Sequence, residues 1–312
     1  MTITKLKIGS RDSKLALIQS EFVKAEILKQ NPDLEVEIIK IKTKGDKILD
    51  TALSKIGDKA LFTKELENAL LDESIDLAVH SMKDLPTSLP QGLEICATSV
   101  REDVRDVLCF SERAKVEALN SLEQAQVIAT SSLRRKAQLQ AYFPNKKFVD
   151  IRGNLQTRFK KLNDPENQID AIVLAAAGIK RLGQEELIDR YLDPYEILPA
   201  VGQGALAVEI KANRDDLKTL LRQAVNHELT EKMIFIERQF LQELEGGCQV
   251  PIGVYSEYQD GEFIITGLVS SLDGTEQITR SMKSKQFQEL GRKLALTLIE
   301  AGARDILLAI KQ

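Results

Sequence analysis

Three groups of residues in this chain have types and spacings suited to chemistry. The first is Cys248. It follows Gly246-Gly247, which end a helical run, and precedes Val250-Pro251, which open a strand. Paired glycines allow backbone conformations closed to other residues and remove side-chain bulk, so the thiol is offered to something large. The second is Asp84, in Ser81-Met82-Lys83-Asp84-Leu85-Pro86 at the end of a short apolar strand expected over Ile75 to His80. In open α/β sheets ligands collect outside the carboxyl ends of strands. A solvated Lys83–Asp84 pair on a loop is the alternative reading. The third is a set of arginines. Thr130-Ser131-Ser132-Leu133-Arg134-Arg135 joins a strand to a helix, and its hydroxyls and first helical N–H groups make an anion site. Phe148 to Ile151 delivers Arg152-Gly153-Asn154, with Arg158 on the next helix, and Ala171 to Ala176 leads to Gly178 and Lys180-Arg181. Arginine after three successive strands points to a polyanion bearing several carboxylates or phosphates.

These residues need a frame, and hydrophobic periodicity supplies one. Lys5 to Ile8 reads as a strand and Gly9 to Ser13 as a turn. A helix with Leu15, Ile18, Phe22, Ala25 and Leu28 on one face follows, stopped at Asn31-Pro32. Val36, Ile38 and Ile41 form the next strand, so the chain starts as βαβ and a parallel sheet is expected. The helix opens just after Gly9 to Ser13, where its free N–H groups favour an anion. Thr43 to Asp58 is polar, lysine-rich and aperiodic; it is either a functional loop or a solvated excursion. Leu61 to Leu71 is an amphipathic helix. After the strand Leu93 to Val100, Arg101-Glu102-Asp103 links to a second α/β series that starts at Val107. Leu198 to Ala205 is a glycine-spaced turn before the strand Leu206 to Ile210, too brief for a dinucleotide fingerprint. Helices Leu217 to Val225 and Glu231 to Leu244 precede Cys248. Three strands with turns at Asp260-Gly261 and Asp273-Gly274 then make an antiparallel meander. Phe287, Leu290, Leu294, Leu298 and Ala301 form one closing helix.

The totals exclude several classes. The 312 residues are enough for two or three domains, and the net charge of −4 argues against general nucleic-acid binding. No segment approaches the ~20 apolar residues of a membrane span. The N-terminus shows no charged segment followed by an apolar core, so a cytoplasmic location is expected. The 3 cysteines have no metal-ligand spacing and only 2 histidines are present, so no metal is expected and free thiols in a reducing compartment fit. Cys96 and Cys109 read as buried packing residues, His80 as shaping a strand end, and His227 has no visible role.

The motifs, taken in order, resemble the porphobilinogen deaminase family. The match runs from Gly9-Ser10-Arg11 with Ser13, through Val79-His80-Ser81-Met82-Lys83-Asp84 and Thr130-Ser131-Ser132-Leu133-Arg134-Arg135. It continues with Arg152-Gly153-Asn154, Thr157-Arg158, Lys180-Arg181-Leu182-Gly183, Pro199-Ala200-Val201-Gly202-Gln203-Gly204 and the Cys248 segment. Ala60 and Val104 stand where the family has glycine and proline.

The resemblance implies an α/β fold. Two periplasmic-binding-protein-like (type II) lobes would flank a cleft, beside a C-terminal α+β domain with a three-stranded antiparallel sheet. The implied domains are 1–101 with 199–221, 102–198, and 222–312. It implies a transferase, hydroxymethylbilane synthase, which condenses four porphobilinogen molecules with loss of ammonia and releases a linear hydroxymethylbilane. The implied cofactor is dipyrromethane on a Cys248 thioether, with Asp84 catalytic. Ser81, Lys83, Asp84, Thr130, Ser132, Arg134, Arg135 and Arg158 would hold the cofactor. Ser131 would add a further hydrogen bond to ligand carboxylates. Arg11, Ser13, Arg152, Arg158, Arg181 and Gln203 would hold substrate, and Lys55, Lys59 and Phe62 would belong to a lid. A monomer is implied, without nucleic acid or membrane, passing its product to uroporphyrinogen III synthase. A non-enzymatic solute-binding protein for a polycarboxylate is the rival reading; it has no need of Cys248.

Overall fold

The computed structural model describes residues 3–47, 62–119, 121–245 and 250–311. In chain order the first elements are β1 (Lys5–Arg11), α1 (Lys14–Gln30), β2 (Glu35–Ile41), α2 (Lys44–Lys47), α3 (Lys64–Leu71), β3 (Leu77–Ser81) and β4 (Leu93–Thr98). Next come β5 (Asp106–Phe110), α4 (Glu112–Val116), β6 (Val127–Ala129), α5 (Leu133–Tyr142), β7 (Lys147–Val149), α6 (Leu155–Leu162), β8 (Ala171–Ala175), α7 (Ala176–Arg181) and β9 (Arg190–Tyr191). The chain continues with β10 (Leu206–Lys211), α8 (Asp215–Val225), α9 (Glu228–Glu243), β11 (Ile252–Gln259), β12 (Glu262–Ser270), β13 (Gln277–Ser284), α10 (Leu290–Leu298) and α11 (Arg304–Lys311). Among the described residues no helix is long and apolar enough to cross a membrane.

The chain divides into two compact units. The described part of the first holds 3–47, 62–102 and 202–232. Its sheet runs β2-β1-β3-β10-β4. Strands β1, β2 and β3 are parallel, while β10 lies antiparallel to both β3 and β4. The sheet is therefore mixed, not parallel as expected, because β10 enters from a distant part of the chain. Alternation along β3 sorts its side chains. Leu77 and Val79 join Leu6, Ile8, Val23, Ile27, Leu217 and Leu221 in one core. Ala78 joins Leu66, Leu70, Ile75 and Leu93, under α3, in another. Strand β1 also runs further than expected. Gly9, Ser10 and Arg11 pair with Ile39, Lys40 and Ile41 of β2, so Arg11 ends a strand and is not in a turn.

The described part of the second unit holds 103–119, 121–201, 233–245 and 250–311. Its five-stranded sheet runs β7-β6-β8-β5-β9, with β6 parallel to β7 and β8 and β5 antiparallel to β8 and β9. This repeats the strand pattern of the first sheet. Both are α/β lobes built on one strand pattern. The second unit also contains the three-stranded antiparallel sheet β11-β12-β13. Asp260 and Gly261 both have positive φ, at 52° and 83°, which suits the two-residue turn between β11 and β12. The closing segment is two helices, not one. Gly302, at φ 102°, breaks the run after α10, and α11 begins at Arg304. Cys96 and Cys109 sit inside β4 and β5, and burial pushes both thiols up to about 12. His227 caps a helix: its Nδ1 lies 3.3 Å from the Thr230 amide at the start of α9.

The turn Gly202-Gln203-Gly204 ties three segments of the first unit together. Arg101 Nε donates to the Gln203 carbonyl at 2.9 Å, and the Glu102 amide donates to the Gly204 carbonyl at 3.1 Å. The Met82 amide donates to the Ala205 carbonyl at 3.0 Å. Gly204 has φ +93°, and a Cβ there would lie 2.3 Å from the Glu102 carbonyl oxygen. Gly204→Ala is expected to destabilise the protein by more than ~1 kcal/mol in urea unfolding, from backbone strain plus the clash. An unchanged unfolding midpoint would contradict this packing.

Candidate active site

Parallel strands end at one edge of a sheet, and the candidate residues of the first unit collect there. Arg11 ends β1, with its guanidinium carbon 4.3 Å from the centre of the Phe62 ring. This is a stacking distance for a cation on an aromatic face. Ser13 is the N-cap of α1 and accepts from the Ala16 amide at 3.3 Å, so its hydroxyl already has one structural task. Ser81 ends the neighbouring parallel strand β3. Its Oγ accepts from Gln19 Nε2 at 3.0 Å. Lys83 and Asp84 occupy the 3-10 turn Met82–Asp84 that follows, both half-buried. Gln203 precedes β10, which runs antiparallel to β3 and so starts at the same edge; it is 1% exposed.

In the second unit the order β7-β6-β8 places three parallel strand ends side by side. The β6 end leads through Thr130-Ser131-Ser132 into α5. Thr130 Oγ1 accepts from the Ser132 amide at 3.2 Å, and Ser132 caps α5 by accepting from the Arg135 amide at 3.4 Å. Ser131 differs from its neighbours. Its Oγ donates to the Ile151 carbonyl at 2.9 Å and accepts from the Ile151 amide at 3.0 Å, so it pins the β7 end to the β6 end. That hydroxyl is committed to the backbone, not presented to a ligand. Past β7, Gly153 at φ +110° leaves no room for a Cβ, which would lie 2.5 Å from Thr157 Cγ2. This turn lets Asn154 cap α6 at the Thr157 amide, 2.9 Å away. Arg158, on α6, donates from Nε back to the Gly153 carbonyl at 2.9 Å. Arg181 is placed differently from expectation. The strand β8 stops at Ala175 and α7 intervenes, so Arg181 stands at the far end of a 6-residue helix.

Arg134 and Arg135 are not solvated side chains. They are 5% and 7% exposed and meet on one carboxylate, Asp106, which is 0% exposed. Arg134 Nη1 donates to Asp106 Oδ2 at 2.8 Å and to the Leu198 carbonyl at 2.6 Å. Arg135 Nη2 donates to Asp106 Oδ1 at 2.7 Å, and its Nη1 to the Val173 carbonyl at 3.1 Å. Burial alone pushes the Asp106 carboxyl up, but the two guanidinium charges and their hydrogen bonds overcome it and hold it well below the usual range. Asp106 escaped the sequence reading. Its one signal was an acidic residue opening the apolar strand Val107 to Phe110.

Donors remain unused at this edge. Arg135 Nε, Arg152 Nε and Arg152 Nη2 are buried with no hydrogen-bond partner among the described residues. Burial pulls the Arg152 guanidinium down from its ordinary value, against the pull of Asp150. Buried donors without acceptors are costly, and a carboxylate ligand would satisfy them. Among the described residues no group of three or more His, Cys, Asp or Glu is arranged to hold a metal. Cys248, Lys55, Lys59 and Ala60 lie outside the described residues.

Comparison with known proteins gives a consistent likeness over the whole chain. A family model described as "Porphobilinogen deaminase, dipyromethane cofactor binding domain" matches residues 6–219, and "Porphobilinogen deaminase, C-terminal domain" matches 232–300. A protein of Desulfitobacterium hafniense named porphobilinogen deaminase is 50% identical over 306 residues, covering 98% of this chain and 97% of that one. Its namesake in Syntrophomonas wolfei is 51% identical over 304 residues, covering 97% of each. That of Nostoc sp. is 47% identical, covering 97% of this chain and 93% of its own.

Asp106→Asn leaves two buried guanidiniums without their carboxylate. The expected cost is ~3–5 kcal/mol. The folded carboxyl titrates below its unfolded value of about 4. Its stabilisation is therefore complete above that pH and is lost as pH falls through the folded value. Thermal melts from pH 7 downward should show a steeper acid decline in the parent than in Asp106→Asn. Parallel curves would contradict the pairing.

Proposed function

Because this chain belongs to the porphobilinogen deaminase family, we propose that it is a hydroxymethylbilane synthase. Four porphobilinogen molecules are added head to tail, each with loss of one ammonia, the first onto the tethered primer, and water then cleaves the completed chain free as a linear hydroxymethylbilane for porphyrin formation. The observation that carries this reading is the set of buried guanidinium donors at the strand ends of the second unit. Each pyrrole of the substrate bears an acetate and a propionate, so the growing chain gains two carboxylates per step. Fixed, permanently charged forks match that chemistry.

The residues present fit a dipyrromethane, whose two rings would present carboxylates to Thr130, Ser132, Arg134, Arg135, Arg158 and Lys83. Cys248 is the sulfur to which it would be joined. When bound, the group supplies a tethered pyrrole on which the product is lengthened. Arg11, Ser13, Arg152, Arg181 and Gln203 would bind the incoming substrate, with Arg158 shared by both. Phe62, beneath Arg11, would help cover it, together with Lys55 and Lys59.

Asp84 performs the electrostatic work. As the C–N bond of porphobilinogen breaks, positive charge develops across the pyrrole and its nitrogen. A carboxylate placed beside that nitrogen stabilises the charge where it appears. The amine takes up a proton and leaves as ammonia; the carbon–carbon bond then forms, and the displaced pyrrole proton is lost, Asp84 being the group proposed to move these protons. The chain acts as a cytoplasmic monomer of three domains and hands its product to uroporphyrinogen III synthase; family membership is the support for these finer points.

Incubation with porphobilinogen, with ammonia and linear tetrapyrrole both quantified, tests the reading. Four ammonia per hydroxymethylbilane are expected. Binding without ammonia release would identify a solute-binding protein instead. Asp84→Asn is expected to fold and to lose at least ~100-fold in kcat, the scale of removing one electrostatic stabiliser. Turnover at the parental rate would remove Asp84 from the mechanism.

A further inference from the structure

Behind the strand end that carries Asp84 are three buried ionisable side chains that the proposed chemistry does not use. Glu67 on α3, His80 on β3 and Glu209 on β10 are 3%, 5% and 0% exposed. His80 Nε2 lies 2.9 Å from Glu209 Oε2. The register explains how they meet. Ala207 is opposite His80, and Glu209 is opposite Ala78, so His80 and Glu209 are diagonal neighbours on one face. The two alanines leave the space that the pair fills. The rest of this face is apolar, with Leu66, Leu70, Ile75 and Leu93. Burial pushes the Glu67 carboxyl up, against a hydrogen bond from Thr63, and the nearby Glu209 charge adds to the rise.

A buried pair of this kind is a weak device for stability, since apolar residues of similar volume do as well or better. Its position gives it another use. The ladder between β1 and β3 covers only Ile8↔Leu77 and Gly9↔Ala78. Among the described residues, β3 beyond Ala78 is laddered to β10 alone. In the turn that follows, Met82 N–H donates to the Ala205 carbonyl at 3.0 Å and Leu85 N–H to the Met82 carbonyl at 3.2 Å. Side chains add contacts on both faces of the strand end. On one face of the sheet Gln19 hydrogen-bonds Ser81; on the other, His80 Nε2 stands 2.9 Å from Glu209 Oε2, a close buried contact without hydrogen-bond geometry.

We propose that His80, in close buried contact with Glu209 beside Glu67, is a positioning residue that fixes the Ser81–Asp84 strand end and thereby the place of the Asp84 carboxylate. This rests on the reading of Asp84 given above. The test uses the full chain with Glu209→Gln, which keeps the shape of the side chain, and His80→Gln. Amide hydrogen exchange at Met82 and Leu85 should speed at least ~10-fold in either variant, since their opening is local. That measurement needs no turnover, so it judges the contact independently of the substrate. With porphobilinogen, kcat should fall at least ~10-fold with KM within ~2-fold, as for a misplaced reacting group. In an Asp84→Glu background, where the carboxylate is already displaced, Glu209→Gln should cost less than ~2-fold more. Unchanged exchange in folded Glu209→Gln, or an equal kcat loss in both backgrounds, would overturn the proposal. If His80→Gln does not fold, Glu209→Gln alone decides.

Discussion

Asp106 has no solvent access and two guanidiniums within hydrogen-bond distance. A buried carboxylate is tolerable only with such compensation. The same contacts fix much of the second unit. Through Arg134 they reach the Leu198 carbonyl, through Arg135 the Val173 carbonyl on β8, and both arginines lie in the first turn of α5. One side chain at the start of β5 thus sets where α5 begins and how Thr130 and Ser132 are presented. The charges do not cancel. One carboxylate faces two guanidiniums, and the surplus positive charge lies beside hydroxyls and helical N–H groups. Fixed groups of this kind suit the anion proposed to bind there, because they lower the ordering cost of binding it.

The first unit is organised on another principle. Its edge offers one stacked cation, Arg11, beside Ser81, Lys83 and Asp84. The second unit is rich in donors for carboxylates; the first carries Asp84, the carboxylate proposed to meet developing positive charge. Both edges arise from the same sheet pattern, in which parallel strands end together and an antiparallel strand returns between them. The family relationship gives these edges their chemical meaning, because a lengthening polycarboxylate formed through a cation calls for both kinds of group.

Much of this was legible in the residues. Helical and strand periodicities placed β1, α1, β3, β6, α5 and the C-terminal meander, because their apolar faces repeat cleanly. The motif order located the edge residues. What failed had physical reasons. Antiparallel strands β10 and β5 come from distant pairings that no local pattern encodes. Gly9 to Arg11 looked like a turn, but the β2 ladder holds it extended. The break at Gly302 hid inside a continuous helical pattern. Asp106 and the backbone tie of Ser131 were missed because both depend on partners 20 or more residues away, across the sheet or on the neighbouring strand. The pairing of Arg134 and Arg135 with Asp106 was not legible, because sequence does not show which charges are already paired.

The intact mass of the denatured protein tests the central claim most directly, compared with that of Cys248→Ser. The account predicts a covalent increment equal to two linked pyrrole units on the parent, absent from the variant. A parent that stays unmodified after incubation with porphobilinogen, with Cys248 still a free thiol, would contradict it.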